Sequence, residues 1–568
     1  MIKLKKTSSI LKKIKFNFKG NITYFVFLSL ISAMLEVLGI GLIYPLVKII
    51  LSTDVSLFIE NYKLDKYIPF ITIETERYLL LRYFCFFIFI IFLVKFSVKI
   101  LLNYKMGKVY ELIKTYLSSY LAALYLKSDL KNFMLDDQAN KIRNILGESG
   151  SFSKNYINSI CLITEIILTI SILIIIFLIN QLVIFFIGSI MLLIFFGHRF
   201  YFKTKVEKIT EKRIFFDGQN LKKLTEIFNN FKEFKFFLNS DRFLDRITND
   251  FKNLNNQMFK LDFISSSLRP IVELITIAVI ISMFLIISFT AKINSQEFVA
   301  QFGVIIFSFI RIVPSLNRII SLLQTSFLIS KSVDLIFNEF NKSPNFKKTS
   351  KENYTEISKK EINFGNSILA DELSYEYNDK KKINFGNQLK ILNNSLNIIT
   401  GRSGLGKTTL LDILSGLREP KGKILVDNKE VNVFENNYWF SKIVYFSQNS
   451  FIFDDSLKEN VILNSEFNEK KYNDLISIFQ LTDLTDRKTL GELSKNISGG
   501  QKQRVALARA LYSDKSIIIL DEPTNMLDKV NKEQFIDYLN SSKHYKTYII
   551  VTHDQELINS ADNIINIT

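Results

Sequence analysis

Cysteine is almost absent: Cys85 and Cys161 are the only two in 568 residues, each inside an apolar stretch and neither with a CxxC neighbour. That excludes a disulfide framework and leaves both as small apolar side chains. Acidic residues are the scarcer sign, 55 against 72 Lys and Arg, giving +17 at pH 7 and a pI near 9.3. In a soluble protein that excess would point to nucleic acid. Here it flanks apolar runs, in MIKLKKTSSILKKIKFNFK and from Lys203 to Lys212, which is the positive-inside pattern, and no nucleic-acid partner is expected. A small-residue cleavage site is also missing behind the basic N-terminus, and the apolar run there is long enough to span. The start of the chain is therefore not read as a removable signal peptide.

What is abundant is apolar. Hydrophobic residues make up 48% of the chain, with 52 Phe and a mean hydropathy of +0.17, and the apolar runs crowd before residue 330. A bilayer takes about 20 mostly apolar residues as helix, and six stretches qualify: 21–50, 79–105, 155–180, 181–203, 264–290 and 298–323. An even count behind a basic N-terminus puts both ends in the cytoplasm of a multi-pass membrane protein. Lys105 to Lys154 and Tyr201 to Leu261 are charged and helical in period, so the spans are predicted to run on as helices beyond the bilayer. Structureless loops of that length are uncommon. After the first span, Val55, Phe58, Ile59 and Tyr62 stand at i, i+3, i+4, i+7, which fits a helix on the outer membrane surface or an ordinary structured loop. The sixth span continues helically to about Asn341, and NKSPNFKKTSKENYTEISKKE reads as a linker. The division is then a basic N-terminus 1–20, a membrane domain 21–341, a linker 342–360 and a soluble domain 361–568. Neither an N-terminal peptidase-like domain nor a C-terminal regulatory domain is expected.

The soluble part carries the chemistry. GRSGLGKTT fits Gly-x-x-x-x-Gly-Lys-Thr between an apolar strand run, LNIIT, and an amphipathic helix, TLLDILSGL. Gly401, Ser403, Gly404, Gly406, Lys407, Thr408 and Thr409 form the phosphate cradle: glycines let backbone N–H groups curl around the β-phosphate, Lys407 reaches the β- and γ-phosphates, and Thr408 ligates Mg²⁺. In ISGGQKQR, residues Ser498, Gly499, Gly500 and Gln501 open a helix as a second backbone nest. SIIILDEPT ends a buried strand in Asp521, for the Mg²⁺ shell, and Glu522, for a hydrolytic water; YIIVTHD ends another in His553. Taken singly, these are also a capping turn, a solvated acidic pair and an ordinary histidine.

In this order and at these spacings the set resembles the nucleotide-binding domain of ATP-binding-cassette (ABC) transporters. The resemblance implies ATP and Mg²⁺ as cofactors and gives roles to further residues. Gln448, in VYFSQNSFIF, falls on the lid glutamine that touches Mg²⁺, Tyr377 on the aromatic that stacks on adenine, and His553 on the γ-phosphate sensor. Asp528 keeps the D-loop aspartate, whereas Asn525 and Met526 depart from the usual Ser-Ala. The nest at Ser498 to Gln501 would serve the nucleotide of a second chain, so a dimer through ATPase and membrane domains follows. Thr489, Gly491 and Glu492 resemble the exporter loop that meets the partner's coupling tip, with Leu490 in the Val place and no Gly after Glu492. The tips themselves are expected near Asp129–Asp137 and Asn229–Phe237. The implied fold class is multidomain: an all-α polytopic membrane domain of six transmembrane helices, exporter type, followed by an α/β P-loop ATPase domain.

Two stretches narrow the resemblance, LEVLGIGLIYPLVKII and FIRIVPSLNRIISLLQTSF. They look like bacterial flippases of lipid-linked oligosaccharides and related glycan exporters, which implies a homodimer in the inner membrane acting on a lipid-linked glycan among membrane lipids. Export of lipid A, a peptide or a hydrophobic toxin stays open. So does a regulatory ATPase that gates a membrane partner, although an intact Glu522 and ISGGQ argue against it. Charged residues within spans are costly, and here they are Glu36, Lys95, Lys99, Glu165, Arg269, Glu273, Arg311 and Arg318. Arg311 and Arg318 lie two helical turns apart with Pro314 between them, expected to kink the helix. With Lys99 they are read as the cargo's anion site. The rival readings are packing pairs of Arg311 with Glu36 or Glu165, an internal Arg269–Glu273 pair, and snorkelling of Lys95, Lys99 and Arg318.

Overall fold

Apolar runs longer than a bilayer is thick become long helices in the computed structural model, which describes residues 4–13, 18–51, 59, 77–135, 137–179, 203–231, 235–236, 240–290, 295–342, 364–377, 381–386, 388–434, 436–448, 450–463, 465–491, 497–525 and 527–567. The chain divides into two units. One is Met1–Lys127 with Asp136–Pro344; the other is Asn345–Thr568 together with Ser128–Leu135. The short segment around the first expected tip thus groups with the residues after 344, although it lies within 21–341. The linker stretch 343–360 lies outside the described residues.

In chain order the first helices are α1 Leu4–Lys13, α2 Phe18–Gly41, α3 Ile43–Leu51, α4 Arg77–Leu126, α5 Leu130–Leu135, α6 Gln138–Arg143, α7 Ser149–Ile179, α8 Lys203–Asn229, α9 Ser240–Thr290 and α10 Ser295–Lys342. All but α5 fall in the first unit. At about 1.5 Å per residue, the 50, 51 and 48 residues of α4, α9 and α10 each reach more than twice the roughly 30 Å of a hydrocarbon core. Four described stretches are long and apolar enough to cross a membrane: Ile22–Ile50, Arg77–Leu126, Gln138–Phe177 and Ile306–Asn341. The second contains the second expected span, 79–105, and the others overlap most of the first, third and sixth. The fifth, 264–290, falls in the second half of α9, and the fourth, 181–203, lies outside the described residues except for residue 203. The stretch 55–62 lies outside them as well, apart from Ile59. Pro314 sits within α10, which continues on both sides of it.

The first unit packs α7 against α2 and α10 through Ile40, Leu168, Ile172, Ile176, Phe309 and Ile312. A π-helical turn, Asn144–Glu148, leads into α7. Its Ile145 carbonyl accepts both Ser118 Oγ at 2.8 Å and Ser149 Oγ at 2.5 Å. Beside it Asn144 Nδ2 donates to Tyr125 Oη at 2.9 Å, and that hydroxyl donates to Glu339 at 3.1 Å, joining α4, the turn and α10 through buried polar groups.

The second unit is built on two sheets. Strands β1 Ser367–Tyr377, β2 Lys381–Asn384, β3 Gln388–Leu392, β5 Lys421–Val426 and β6 Lys429–Glu430 form an antiparallel one, with β3 also on β1. β4 Leu396–Gly401, β7 Ile443–Phe446, β8 Ile517–Asp521, β9 Thr547–Val551 and β10 Asn563–Ile567 form a parallel one, ordered β10-β4-β9-β8-β7. The inner strands β8 and β9 are buried throughout because both their faces are covered, whereas the edge strand β10 alternates: Ile518 and Leu520 enter one core while Ile517 and Ile519 enter the other. The covering helices include α11 Lys407–Leu414, α12 Gly499–Tyr512 and α13 Lys529–Ser542. Val551 is opposite both Asp521 and Ile399, so β4, β8 and β9 end at one level.

The segment between β7 and α12 hangs on one fully buried amide. Asn460 Nδ2 donates to the carbonyls of Phe453, Asp455 and Ser456, and its Oδ1 accepts from Phe453 N at 2.8 Å and from Arg509 at 2.9 Å. Asn460→Ala leaves several of these groups unpaired and should destabilise the second unit by about 2–4 kcal/mol. Trp439 is the chain's single tryptophan and is buried in this unit. Its fluorescence in a denaturant titration of the full chain reads the loss directly; an unshifted midpoint would contradict it.

Candidate functional site

Three loops leave the parallel sheet where β4, β8 and β9 end, and the side chains they carry meet in a cleft of about 710 Å³. It is lined by Ser403, Gly404, Gly406, Lys407, Thr408 and Thr409 from the first loop, Asp521, Glu522 and Asn525 from the second, and His553 from the third, with Tyr377 and Gln448 alongside. Crevices at the carboxyl ends of parallel strands are where such sheets bind ligands. The glycines are required by geometry. Gly406 caps α11 at φ 89°, and a Cβ on Gly401, at φ 154°, would lie 2.7 Å from the Ile567 carbonyl of β10.

Lys407 is folded onto its own loop. Its ammonium donates to the carbonyl of Gly401 at 2.7 Å and of Arg402 at 3.4 Å, and lies 2.9 Å from His553 Nε2. These are weak partners for a cation compared with a phosphate, which a loop of this shape presents to it. Thr408 Oγ1 donates to Asp521 Oδ2 at 2.8 Å. A hydroxyl and a carboxylate side by side are hard oxygen donors that fit Mg²⁺, with Gln448 on the same cleft as a third.

Burial raises Asp521 above the ordinary carboxylate range, opposed by the Thr408 hydrogen bond. Glu522 is raised as well, by burial first, with His553 and Lys407 pulling the other way. Its carboxylate is 3.7 Å from His553 Nε2. Its backbone is held at φ 51° by a hydrogen bond from its N–H to the Val551 carbonyl, and Gln503 of α12 donates to its carbonyl at 3.4 Å. A non-glycine residue in that region is strained, and such strain collects at functional positions.

The remaining sequence candidates lie elsewhere in the unit. Ser498 caps α12 in a capping box with Gln501, and neither lines the cleft; nor do Gly499 and Gly500. A Cβ on Gly499 would meet nothing within 4 Å, so the nest is open. Gln501 Nε2 donates to Asp483 at 2.7 Å, which fixes the amide of the box. Asp528 caps α13 through Asn531, whose backbone N–H lowers its pKa. Leu490 is fully buried beside Thr489 and Gly491; Glu492 and Met526 lie outside the described residues. Ile383, Asn525 and Val551 line the cleft without having been singled out as ligands in the sequence. For Asn525 the signal was its departure from the usual D-loop.

In the first unit two of the three cargo candidates, Arg311 and Arg318, are ion-paired. Glu36 lies 2.6 Å from both Lys95 Nζ and Arg311 Nε, and Arg318 pairs with Glu165 at 2.7 Å, where Ser315 also donates. The packing pair weighed for Arg311 is therefore formed, with Glu36. Lys99 has no ion pair among the described residues, and the side chain of Arg269 lies outside them. Replacing Asp521 by Asn removes a carboxylate from the Thr408 side of the cleft. It should weaken Mg·ATP on the order of tenfold while metal-free ATP binds as before, which titration with and without a chelator measures.

Residues 386–525 match the family model described as ABC transporter. The fold is similar, over 99% of this chain and 94% of the other, to the solved structure of a bacterial Atm1-family ABC exporter with ATP bound, with a TM-score of 0.73 and 16% identity. Among curated proteins, the heterocyst differentiation ATP-binding protein HepA of Nostoc sp. (strain PCC 7120) is 29% identical over 55% of this chain and 51% of its own length. The lactococcin-G-processing and transport ATP-binding protein LagD of Lactococcus lactis is 27% identical over 56% of this chain and 46% of its own. The mating factor M secretion protein mam1 of Schizosaccharomyces pombe is 30% identical over 49% of this chain and 21% of its own. The chain thus spans about half the length of the first two and a fifth of the third. Its second unit contains an ABC transporter ATP-binding domain, and the chain has the fold of an Atm1-type ABC exporter.

Proposed function

We propose that this chain is one half of a homodimeric, ATP-driven exporter of a bacterial inner membrane, with both ends in the cytoplasm. The observation that carries the reading is the convergence of Lys407, Thr408, Asp521, Glu522 and His553 in one cleft, with the Ser498 nest outside it and free to serve a second chain. Mg²⁺, held by Thr408, Asp521 and Gln448, would neutralise charge on the β- and γ-phosphates. Lys407 exchanges its carbonyl partners for those phosphates, and Tyr377 holds the adenine. Glu522 orients the attacking water and takes its proton as the bond to the γ-phosphorus forms and the bond to the β–γ bridging oxygen breaks. His553 holds the γ-phosphate oxygens.

For the cargo, the interior charges favour an anion. Lys95, Lys99, Arg311 and Arg318 face only Glu36 and Glu165 among the described residues, so the group carries a surplus of two positive charges. Arginine and lysine within spans are stable beside water or an anionic group, and a guanidinium suits phosphate bidentately. With the two stretches resembling oligosaccharide flippases, this supports a pyrophosphate-linked glycolipid held by Lys99, Arg311 and Arg318. A second reading, peptide export, is favoured by the roles of two relatives, in lactococcin-G processing and transport and in mating factor M secretion.

Glu522→Gln should lose most ATP turnover, by about 10²-fold or more, while still binding ATP. Because burial raises the Glu522 carboxyl, the acid limb of the wild-type rate should lie above the ordinary carboxylate range, with turnover falling as pH drops and the base is protonated. Normal turnover in the Gln protein would refute the assignment.

The cargo is tested in proteoliposomes carrying either a polyprenyl-pyrophosphate oligosaccharide or a cationic peptide. Lys99→Gln disturbs no described ion pair, so it should keep folding and basal hydrolysis yet lose glycolipid stimulation about tenfold. Arg311→Gln should in addition lower thermal stability, because it withdraws one cation from Glu36. Stimulation by the peptide alone would transfer the proposal to peptide export.

A further inference from the structure

Helix α11 carries Lys407 and Thr408 at its start and ends in a Schellman turn. The N–H of Gly416 bonds to the Ile413 carbonyl, and that of Leu417 to the Asp412 carbonyl. Gly416 has φ 84°, and a Cβ there would lie 2.3 Å from the Val433 carbonyl, so only glycine makes this reversal. The turn brings Arg418 back over its own helix. Its Nε donates to Asp412 Oδ2 at 2.8 Å and its NH1 to Tyr375 Oη at 3.2 Å, with both side chains of the ion pair nearly buried.

The guanidinium also lies 5.2 Å from the ring centroids of both Tyr375 and Tyr377. These two residues alternate on β1 and so share a face, with rings 4.9 Å apart edge to face. Tyr377 lines the nucleotide cleft, whereas Arg418, Asp412 and Tyr375 do not. The tyrosine ring is therefore supported from the protein side by a cation and open to ligand on the other. Its hydroxyl is paired with Thr409 Oγ1 at 2.9 Å, which fixes the edge of the ring. Burial pushes the Asp412 carboxyl upward, opposed mainly by Arg418 and then by Tyr445.

The geometry points to Arg418 as a positioning residue for the base of the nucleotide: anchored by Asp412, it holds the Tyr377 ring at the angle at which a purine stacks. This rests on the reading of Tyr377 as the adenine platform. One helix thus serves both ends of the nucleotide, grasping phosphates at its N-terminus and setting the base platform from its C-terminal turn. Binding of the base and of the phosphates should be separable, because Arg418 reaches only the former.

The test uses the full chain in lipid nanodiscs, with ATP hydrolysis as one readout and inhibition by inorganic tripolyphosphate, which lacks a base, as the other. Arg418→Met should raise KM for ATP about threefold to tenfold, with the change falling on KM rather than on kcat and the tripolyphosphate inhibition constant unmoved. Arg418→Lys, which keeps a cation over the rings, should fall between. Should Arg418→Met fail to fold because Asp412 is left buried without its cationic partner, the double variant Asp412→Asn with Arg418→Met removes that charge and carries the same expectation. Equal weakening of ATP and tripolyphosphate would mean damage to the whole loop and would overturn the inference. A Tyr377→Ala chain with raised KM beside an Arg418→Met chain with normal KM would overturn it too, while leaving the nucleotide site as assigned. Normal KM in Tyr377→Ala would remove the adenine platform itself, and the inference with it, without touching the role of Glu522.

Discussion

The parallel pairing of β4, β9 and β8 is the constraint on which the ATPase unit depends. Each strand is apolar on both faces, so it is stable only with a core on either side and with every backbone group paired to a neighbour. Once that is satisfied, the register leaves no freedom at the ends: Ile399, Val551 and Asp521 are level. The loops that begin there must share one crevice. Lys407, His553 and Glu522 are far apart in sequence, and sheet register alone brings them within a few ångströms of each other.

Much of that site was legible in the sequence because its parts are local. A glycine loop between a strand and a helix, or an acidic pair closing an isoleucine run, declares its geometry within ten residues. What stayed hidden depends on partners distant in the chain. Nothing near Arg418 announces Tyr375 and Tyr377 across the unit. Asp412 reads as an ordinary polar position on an amphipathic helix until the Gly416 turn folds Arg418 onto it. The grouping of Ser128–Leu135 with the second unit is likewise invisible to a contiguous division of the chain. In the membrane half, the sequence offered Arg311 two carboxylates, and only the packing of α2 beside α4 and α10 selects Glu36 and gives it to Lys95 at the same time.

That shared carboxylate illustrates how charge is kept inside an apolar unit. A lone Glu36, 1% exposed, would carry a desolvation cost that one partner at the end of a long side chain offsets only in part. Two cations converging on it reverse the local sign. Lys95 additionally lies 4.6 and 4.9 Å from the rings of Phe92 and Phe96, which hold an ammonium where water is scarce. The helices are thereby tied together by groups that also leave a surplus of positive charge.

The left-handed backbone of Glu522 sets durability against work. A glutamate at φ 51° sits in a conformation that glycine or asparagine adopts more easily. A chain with either residue there would have a more relaxed turn after β8 and would resist heat better. It would also lack the carboxylate. If Glu522 is the base proposed above, screening variants for thermal tolerance alone would thus drift toward sturdier proteins that bind nucleotide and do nothing with it, and the toughest of them would be the least useful to a cell.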